Sequence, residues 1–419
     1  MRFVVFIIGL VMLTGCAVGP DYSRPDLQVP NGFRMAVSAQ ETESFANLPW
    51  WDLLQDEELR RLIRIALAEN KDLQRAVASV EEFQSRLFIS KMDFAPKADV
   101  TANAPSFGRK ANFLFPGFPN PFNYYLQGNL SWELDIWGRV RRSNEAARGD
   151  LLAREEARRA VVLQLVSGVA EAYFELLQFD MQLGVAQRTL KSWEESVRIA
   201  EARLRQGMIS RIDADQFEAE RANAAARAAE LTRQMVQKEN QLSVLLGRPP
   251  GQVARGRSLT EQVLPPDVPA GLPSELLQRR PDLVQAEQEL AAATARIGVA
   301  KADRFPKLSI TGILGVASPQ LSRLVADETA FGVVGPGLAG PLLNAQILGF
   351  QQDAAEAQSR EVLARYEQAV LVAFREVEDA LVAVRTAREQ RDAQAQQVDA
   401  LRSALRLANL RYKGGLANY

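Results

Sequence analysis

The chain has 419 residues, with 50 Lys plus Arg against 51 Asp plus Glu and no histidine. Near-neutral charge with no long block of one sign leaves no electrostatic footprint for nucleic acid, so none is expected as a partner. The lack of histidine removes the commonest general acid/base and the commonest metal ligand, so no catalytic residue, metal site or diffusible cofactor is expected, and the chain does not read as an enzyme.

The N-terminus is the first informative element. Met1-Arg2 gives a short basic start, Phe3 to Leu13 is an apolar run too short to span a bilayer, and Leu13-Thr14-Gly15-Cys16 follows directly. Cys16 is the only cysteine. The pattern predicts a lipoprotein signal peptide over residues 1–15, cleaved before Cys16, whose thiol then carries a covalent lipid. Several acyl chains, at ~0.8 kcal/mol per buried CH₂, hold a protein on a membrane durably. Residues 16–50 read as an anchored extension. Past Cys16 no uninterrupted run of 18 apolar residues occurs, so any crossing of a membrane is expected as a β-barrel.

The spacing then predicts a helix from about Asp56 to Phe94, ended by Pro96. After that proline the period changes to two: Leu126, Leu130, Trp132, Leu134 and Ile136 alternate with polar residues, as strands with one apolar and one polar face do. A proline-free stretch follows. In it Leu165, Val169, Ala172, Leu176, Phe179, Leu183, Ala186, Leu190, Trp193 and Val197 recur at alternate spacings of three and four, the seam of a coiled coil. A helix of roughly 65 residues is ~100 Å long at 1.5 Å per residue. Gly207 closes it, and a returning helix runs to Gly247-Arg248-Pro249-Pro250.

The whole unit then repeats. Asn70-Lys71-Asp72-Leu73-Gln74-Arg75-Ala76 aligns with Arg280-Pro281-Asp282-Leu283-Val284-Gln285-Ala286 at a separation of about 210 residues. Lys91, Asp93, Pro96 and Lys97 recur as Lys301, Asp303, Pro306 and Lys307, and Arg203 and Gly207 as Arg411 and Gly415. The expected organisation is a first helix, hairpin and long-helix repeat over 51–250, a linker at 251–272, and a second repeat over 273–419. Its first helix begins near Asp282, and its strands include Leu308, Ile310, Gly312, Leu314 and Val316. The second repeat ends at Tyr419, before a counterpart of the helix that runs to Gly247, so a truncated last helix is expected. The partner seam at Val398, Leu401, Leu405 and Ala408 is then left partly uncovered.

Two hairpins give four strands of about nine to thirteen residues, near bilayer-crossing length. Four strands cannot close on themselves, and unpaired backbone groups in hydrocarbon cost several kcal/mol each, so closure demands several chains. The arithmetic permits two chains or three.

The sequence also resembles the outer-membrane efflux factors of the TolC, OprM and NodT type over its whole mature length. The resemblance is carried by Cys16-Ala17-Val18-Gly19-Pro20-Asp21-Tyr22, by Trp50-Trp51 with Asp56 and Leu59, by Trp132-Glu133-Leu134-Asp135-Ile136-Trp137-Gly138-Arg139, and by Leu272-Pro273-Ser274-Glu275-Leu276 through Pro281-Asp282 to Phe305-Pro306. It implies a mainly α protein with β: long coiled-coil helices forming an α-barrel, and a transmembrane β-barrel shared by a homotrimer. It further implies an outer-membrane channel that acts as a passive trans-periplasmic duct for small molecules, working with a periplasmic adaptor (membrane fusion) protein and an inner-membrane pump. Ala17 after the cysteine accords with sorting to the outer membrane. By the same resemblance Asp213, Asp215 and Tyr412 are candidates for a periplasmic gate. Asp213 also fits the capping-box spacing after Ser210.

Gly335-Pro336-Gly337-Leu338-Ala339-Gly340 matches a dinucleotide-binding pattern, but no returning strand follows within reach, and small residues in a barrel strand explain it better. The rival to a channel is a periplasmic coiled-coil scaffold lipoprotein that forms no pore.

Overall fold

The computed structural model describes residues 17–27, 29–30, 32–33, 54–104, 124–263, 273–341, 343 and 345–413. In chain order these form α1 (Glu57–Glu69), α2 (Lys71–Met92), β1 (Lys97–Asn103), β2 (Tyr124–Leu134), α3 (Arg139–Arg205), α4 (Arg211–Leu245), α5 (Pro273–Arg279), α6 (Pro281–Ala302), β3 (Lys307–Ser318), β4 (Ala330–Ala339) and α7 (Ala345–Lys413). Cys16 and Trp50-Trp51 lie outside the described residues.

The chain divides into two compact units, each drawn from both halves of the sequence. The first comprises Met1–Leu27, Val77–Ala157 and Val284–Gln368, and holds the sheet. All four strands are antiparallel, in the order β1-β2-β3-β4. Helical packing in this unit uses small residues. Ala146 and Ala153 of α3 and Ala292, Ala293 and Ala295 of α6 are buried, and a Cβ at Gly149 would sit 3.0 Å from that of Ala292. Small side chains let helix backbones approach closely, which long residues would prevent.

The second unit comprises Gln28–Ala76, Arg158–Leu283 and Ala369–Tyr419. Its core joins Leu59, Leu62, Ile63 and Ala66 of α1 to Leu165, Val169, Ala172, Tyr173 and Leu176 of α3 and Leu242 of α4. The expected seam is thus the buried face of α3. Farther along it, Trp193 meets Phe217 of α4, with ring centroids 6.2 Å apart. α3 is also long and apolar enough, by length and composition alone, to cross a membrane. Its apolar residues Leu165, Val169, Tyr173 and Leu176 are buried in this core. On α7, Val398, Leu401 and Leu405 stand exposed.

The expected single helix from Asp56 to Phe94 is two helices. Asn70 separates them: its N–H still donates to the Ala66 carbonyl at 2.9 Å, while its Oδ1 accepts from the Leu73 N–H at 2.9 Å and caps α2. Its Nδ2 donates to the Leu245 carbonyl at 2.9 Å, satisfying an otherwise orphaned acceptor at the end of α4. The strands run from 7 to 12 residues, β1 being shorter than expected. Ile136 lies beyond the end of β2, where Asp135 leaves the strand to cap α3.

Both α3 and α4 end on a glycine with positive φ, +71° at Gly207 and +72° at Gly247. In each case the glycine N–H returns to a carbonyl three residues back, and the next N–H to one five back (Met208 to Arg203 and Arg248 to Ser243), a Schellman closure. The surroundings differ. A Cβ at Gly207 would meet nothing within 4 Å, whereas one at Gly247 would overlap the Glu69 carbonyl. Gly207→Ala is therefore expected to cost only the left-handed backbone penalty of ~1 kcal/mol. Gly247→Ala adds a backbone clash and should cost ~3 kcal/mol or more, read as a clearly larger drop in melting temperature in detergent.

Candidate functional site

The register of the sheet fixes two faces. One collects Val100 of β1, Leu126, Leu130 and Trp132 of β2, Ile310, Leu314 and Val316 of β3, and Val334 and Leu338 of β4, because directly opposed residues share a face. Val100, Leu314 and Leu338 on it are each 74% exposed. The opposite face carries Lys97, Asp99, Thr101, Gln127, Asn129 and Ser131 on the first two strands. Asn129 Nδ2 donates to Asp99 Oδ2 at 2.8 Å, and Gln127 Nε2 donates to Asn129 Oδ1 at 2.9 Å. Hydrocarbon accepts the first face and rejects the second.

Where the strands meet the helices, aromatic and charged side chains form a rim. The Trp132 indole donates to the Phe94 carbonyl at 2.9 Å; that of Trp137 donates to the Pro306 carbonyl at 2.7 Å and stacks on Phe305 with centroids 4.7 Å apart. The Asp135 carboxylate accepts from the Val140 and Arg141 N–H groups at 2.8 and 3.0 Å, capping α3. Arg139 grips Glu133 through two bonds of 2.7 Å. Asp93 pairs with Lys97 at 2.7 Å, and Asp303 with Lys307 at 2.9 Å. The glycine-rich 335–340 segment belongs to β4 and the turn after it, paired antiparallel with β3.

The segment after Cys16 docks on the same unit. The Val18 N–H donates to the Trp137 carbonyl at 3.0 Å, and a Cβ on Gly138 (φ +78°) would lie 2.6 Å from the Ala17 Cα. The buried Arg142 reaches Asp21 at 2.6 Å and Glu145 at 2.8 Å. Glu287, 8% exposed, accepts from the Tyr22 hydroxyl at 3.1 Å and from Arg24 Nε at 2.8 Å, with a second Arg24 nitrogen on its other oxygen. Burial first, then the Glu287 charge, push the Tyr22 phenol well above its ordinary range.

In the second unit, α4 begins as the Ser210 spacing implies. The Ser210 Oγ accepts from the Asp213 N–H at 3.2 Å, and Asp213 accepts from the Ser210 N–H at 3.0 Å and its hydroxyl at 2.7 Å. Those bonds hold the exposed Asp213 carboxyl below the usual carboxylate range. Asp215, one turn on from Arg211, receives its Nε at 3.0 Å. Tyr412 lies in the last turns of α7, and its side chain is outside the described residues. Asp213 and Asp215 thus sit together at the start of α4, each bonded to a residue of that same turn.

Sequence reasoning did not foresee the polar network around Asp56. This residue caps α1 through the Glu58 and Leu59 N–H groups, and it accepts from the Tyr173 hydroxyl at 3.2 Å, the Arg257 N–H at 3.1 Å and Gln262 Nε2 at 2.7 Å. The Tyr173 hydroxyl accepts from the Gly256 N–H at 2.8 Å. Beside it Arg255 joins Asp180 at 2.9 Å and the buried Glu239. The chain at 251–263 is thereby tied to α1, α3 and α4. Its only signal in the sequence is Asp56 itself, placed as a helix cap. Burial alone would raise the Asp56 carboxyl, but the bonds from Gln262, Leu59, Arg257 and Tyr173 outweigh it and hold it below the usual range. Burial pushes the Tyr173 phenol up to about 12. Among the described residues, no group of three His, Cys, Asp or Glu side chains could hold a metal ion.

Residues 62–248 and 272–419 match the family model described as outer membrane efflux protein. The chain belongs to this family. It is 33% identical over 417 residues to the cation efflux system protein CusC of Escherichia coli O6:H1, covering 97% of this chain and 88% of that one. It is also 33% identical over 412 residues to the toluene efflux pump outer membrane protein TtgC of Pseudomonas putida, covering 97% and 85%. The open-state outer membrane channel MtrE of Neisseria gonorrhoeae superposes with a TM-score of 0.83 at 32% identity, over 96% of this chain and 89% of that one. The chain is accordingly an outer-membrane channel component of an efflux system, with a periplasmic helical portion. The pore-free scaffold gains no support from these relatives. The family is one of transport channels rather than enzymes.

The Asp56 network has a pH signature. A carboxyl held low in the folded state contributes stability that is fully present above its unfolded pKa, ~3.9, and is lost as pH falls through the folded value. Asp56→Asn should lower the melting temperature at pH 7, and the gap to the unsubstituted protein should narrow below about pH 4.

Proposed function

We propose that three copies of this chain close one twelve-stranded barrel in the outer membrane, anchored by lipid on Cys16 and continued by an α-helical duct through which small molecules leave the cell. The observation that carries this is the sheet. Its four strands have one apolar face, and β1 and β4 each leave an edge without a partner within the sheet. An open edge in hydrocarbon costs several kcal/mol per unpaired backbone group, so these edges must pair with other copies. Two copies give eight strands and three give twelve, both even numbers that closed barrels use. The resemblance to trimeric channels favours three.

An internal duplication supports the same reading. Asp93–Lys97 and Asp303–Lys307 are the same ion pair at the same place before β1 and before β3. Each repeat then delivers one hairpin per chain, and three chains deliver six around the barrel. Asp213 and Asp215, with Tyr412, form the periplasmic gate, and the adjoining turns receive a periplasmic adaptor that links the channel to an inner-membrane pump. The lipid on Cys16 enters the membrane beside the rim, since Ala17 already packs on Gly138 at the end of the strands. No energy-coupling motif is present, so the pump drives transport and this chain conducts. Its substrates are small toxic molecules.

Native mass spectrometry of protein extracted from outer membranes is expected to give a trimer of acylated chains. Cys16→Ser should remove the acyl mass while leaving the oligomer. A monomer of unacylated chains would overturn both parts.

A further inference from the structure

We propose that the inner wall of the barrel carries a binding row for cationic amphiphiles, solutes with a positively charged head and an apolar body. This rests on the reading of the sheet as one third of a barrel. The apolar face is uniform across all four strands, as lipid requires. The opposite face is not uniform. On β1 and β2 it is polar, but on the outer halves of β3 and β4 it presents Ile313, Gly315, Ala317, Phe331 and Val333. Val333 is 66% exposed.

The register arranges these residues in rows. Asp99 lies opposite Asn129, Asn129 opposite Ile313, and Ile313 opposite Val333. The next row runs Thr101, Gln127, Gly315, Phe331. At ~4.8 Å between strands each row spans ~14 Å, from a carboxylate or hydroxyl to an apolar side chain. Asp99 accepts from Asn129 at 2.8 Å and Thr101 at 3.4 Å, both neutral donors. The next cation along its face, Lys97, is engaged by Asp93 at 2.7 Å. The Asp99 charge therefore remains uncompensated by these neighbours. A wall that only had to hold water would need neither a lone carboxylate nor an exposed apolar patch beside it. A cationic head on Asp99 with an alkyl or aromatic body over Ile313 and Val333 uses both. A bare metal cation would find a single carboxylate in these two rows, Asp99, flanked by amide and hydrocarbon, too few ligands to hold it.

The test is the ionic current through the purified oligomer in planar bilayers, with tetramethylammonium, hexyltrimethylammonium and decyltrimethylammonium as probes. Reversible block should tighten about tenfold from hexyl to decyl, the gain expected when roughly half the surface of four methylenes is buried. The double variant Ile313→Thr with Val333→Thr should erase that gain. Asp99→Asn should weaken block by every cationic probe about threefold and leave the chain-length gain intact. Val334→Thr, on the opposite face, should change neither. Equal block by all three probes, or a chain-length gain that survives the double variant, would overturn the proposal. Oligomers that carry no current even with Asp213→Ala and Asp215→Ala, which remove carboxylates of the proposed gate, would instead remove the channel reading beneath it.

Discussion

Two strand edges, unpaired among the described residues, govern the rest of this molecule. A four-stranded sheet in water could leave β1 and β4 solvated, but the apolar face formed by Val100, Leu126, Leu314 and Val334 belongs in hydrocarbon, where no water replaces a missing partner. Both conditions hold only if the edges pair with other copies. In the proposed barrel other copies complete the sheet, and the exposed apolar surface faces lipid and neighbouring subunits.

The join between sheet and helices is built from caps and close contacts instead of a large core. Asp135 turns β2 into α3, while Trp132 and Trp137 tie their indoles to the carbonyls of Phe94 and Pro306, where α2 and α6 give way to strands. Amphipathic indoles with one wet edge suit a membrane boundary. In the second unit the same economy recurs. Asn70 spends one amide on two helix ends, and the Asp56 carboxylate gathers donors from α1, α3 and the 251–263 segment. Because Asp56 and Asn70 each join local cap bonds to partners distant in sequence, the network specifies one arrangement of those segments.

Local pattern made the helices, their glycine closures and the alternation of the strands legible. Three-and-four spacing placed Leu165, Val169 and Leu176 on one face, and those residues are the core of the second unit. The Ser210 to Asp213 spacing likewise announced a capping box that the structure contains. The break at Asn70 was not legible, since the helical period runs through it and the deciding bond reaches Leu245, 175 residues away. The Asp56 network was hidden for the same reason, its partners lying 117 and 201 residues distant. The mixed character of the inner wall needed the register of all four strands, which no single strand's alternation contains.

In the proposed ring, β1 of one chain pairs with β4 of the next. The most direct test of that pairing is disulfide cross-linking in outer membranes, with a cysteine at Thr101 combined in turn with one at Phe331, Val333 or Gly335. At the correct register a ladder is expected that ends at three chains, with the circular trimer as the final band. A ladder that stops at two, or chains that stay monomeric at every register, would contradict it.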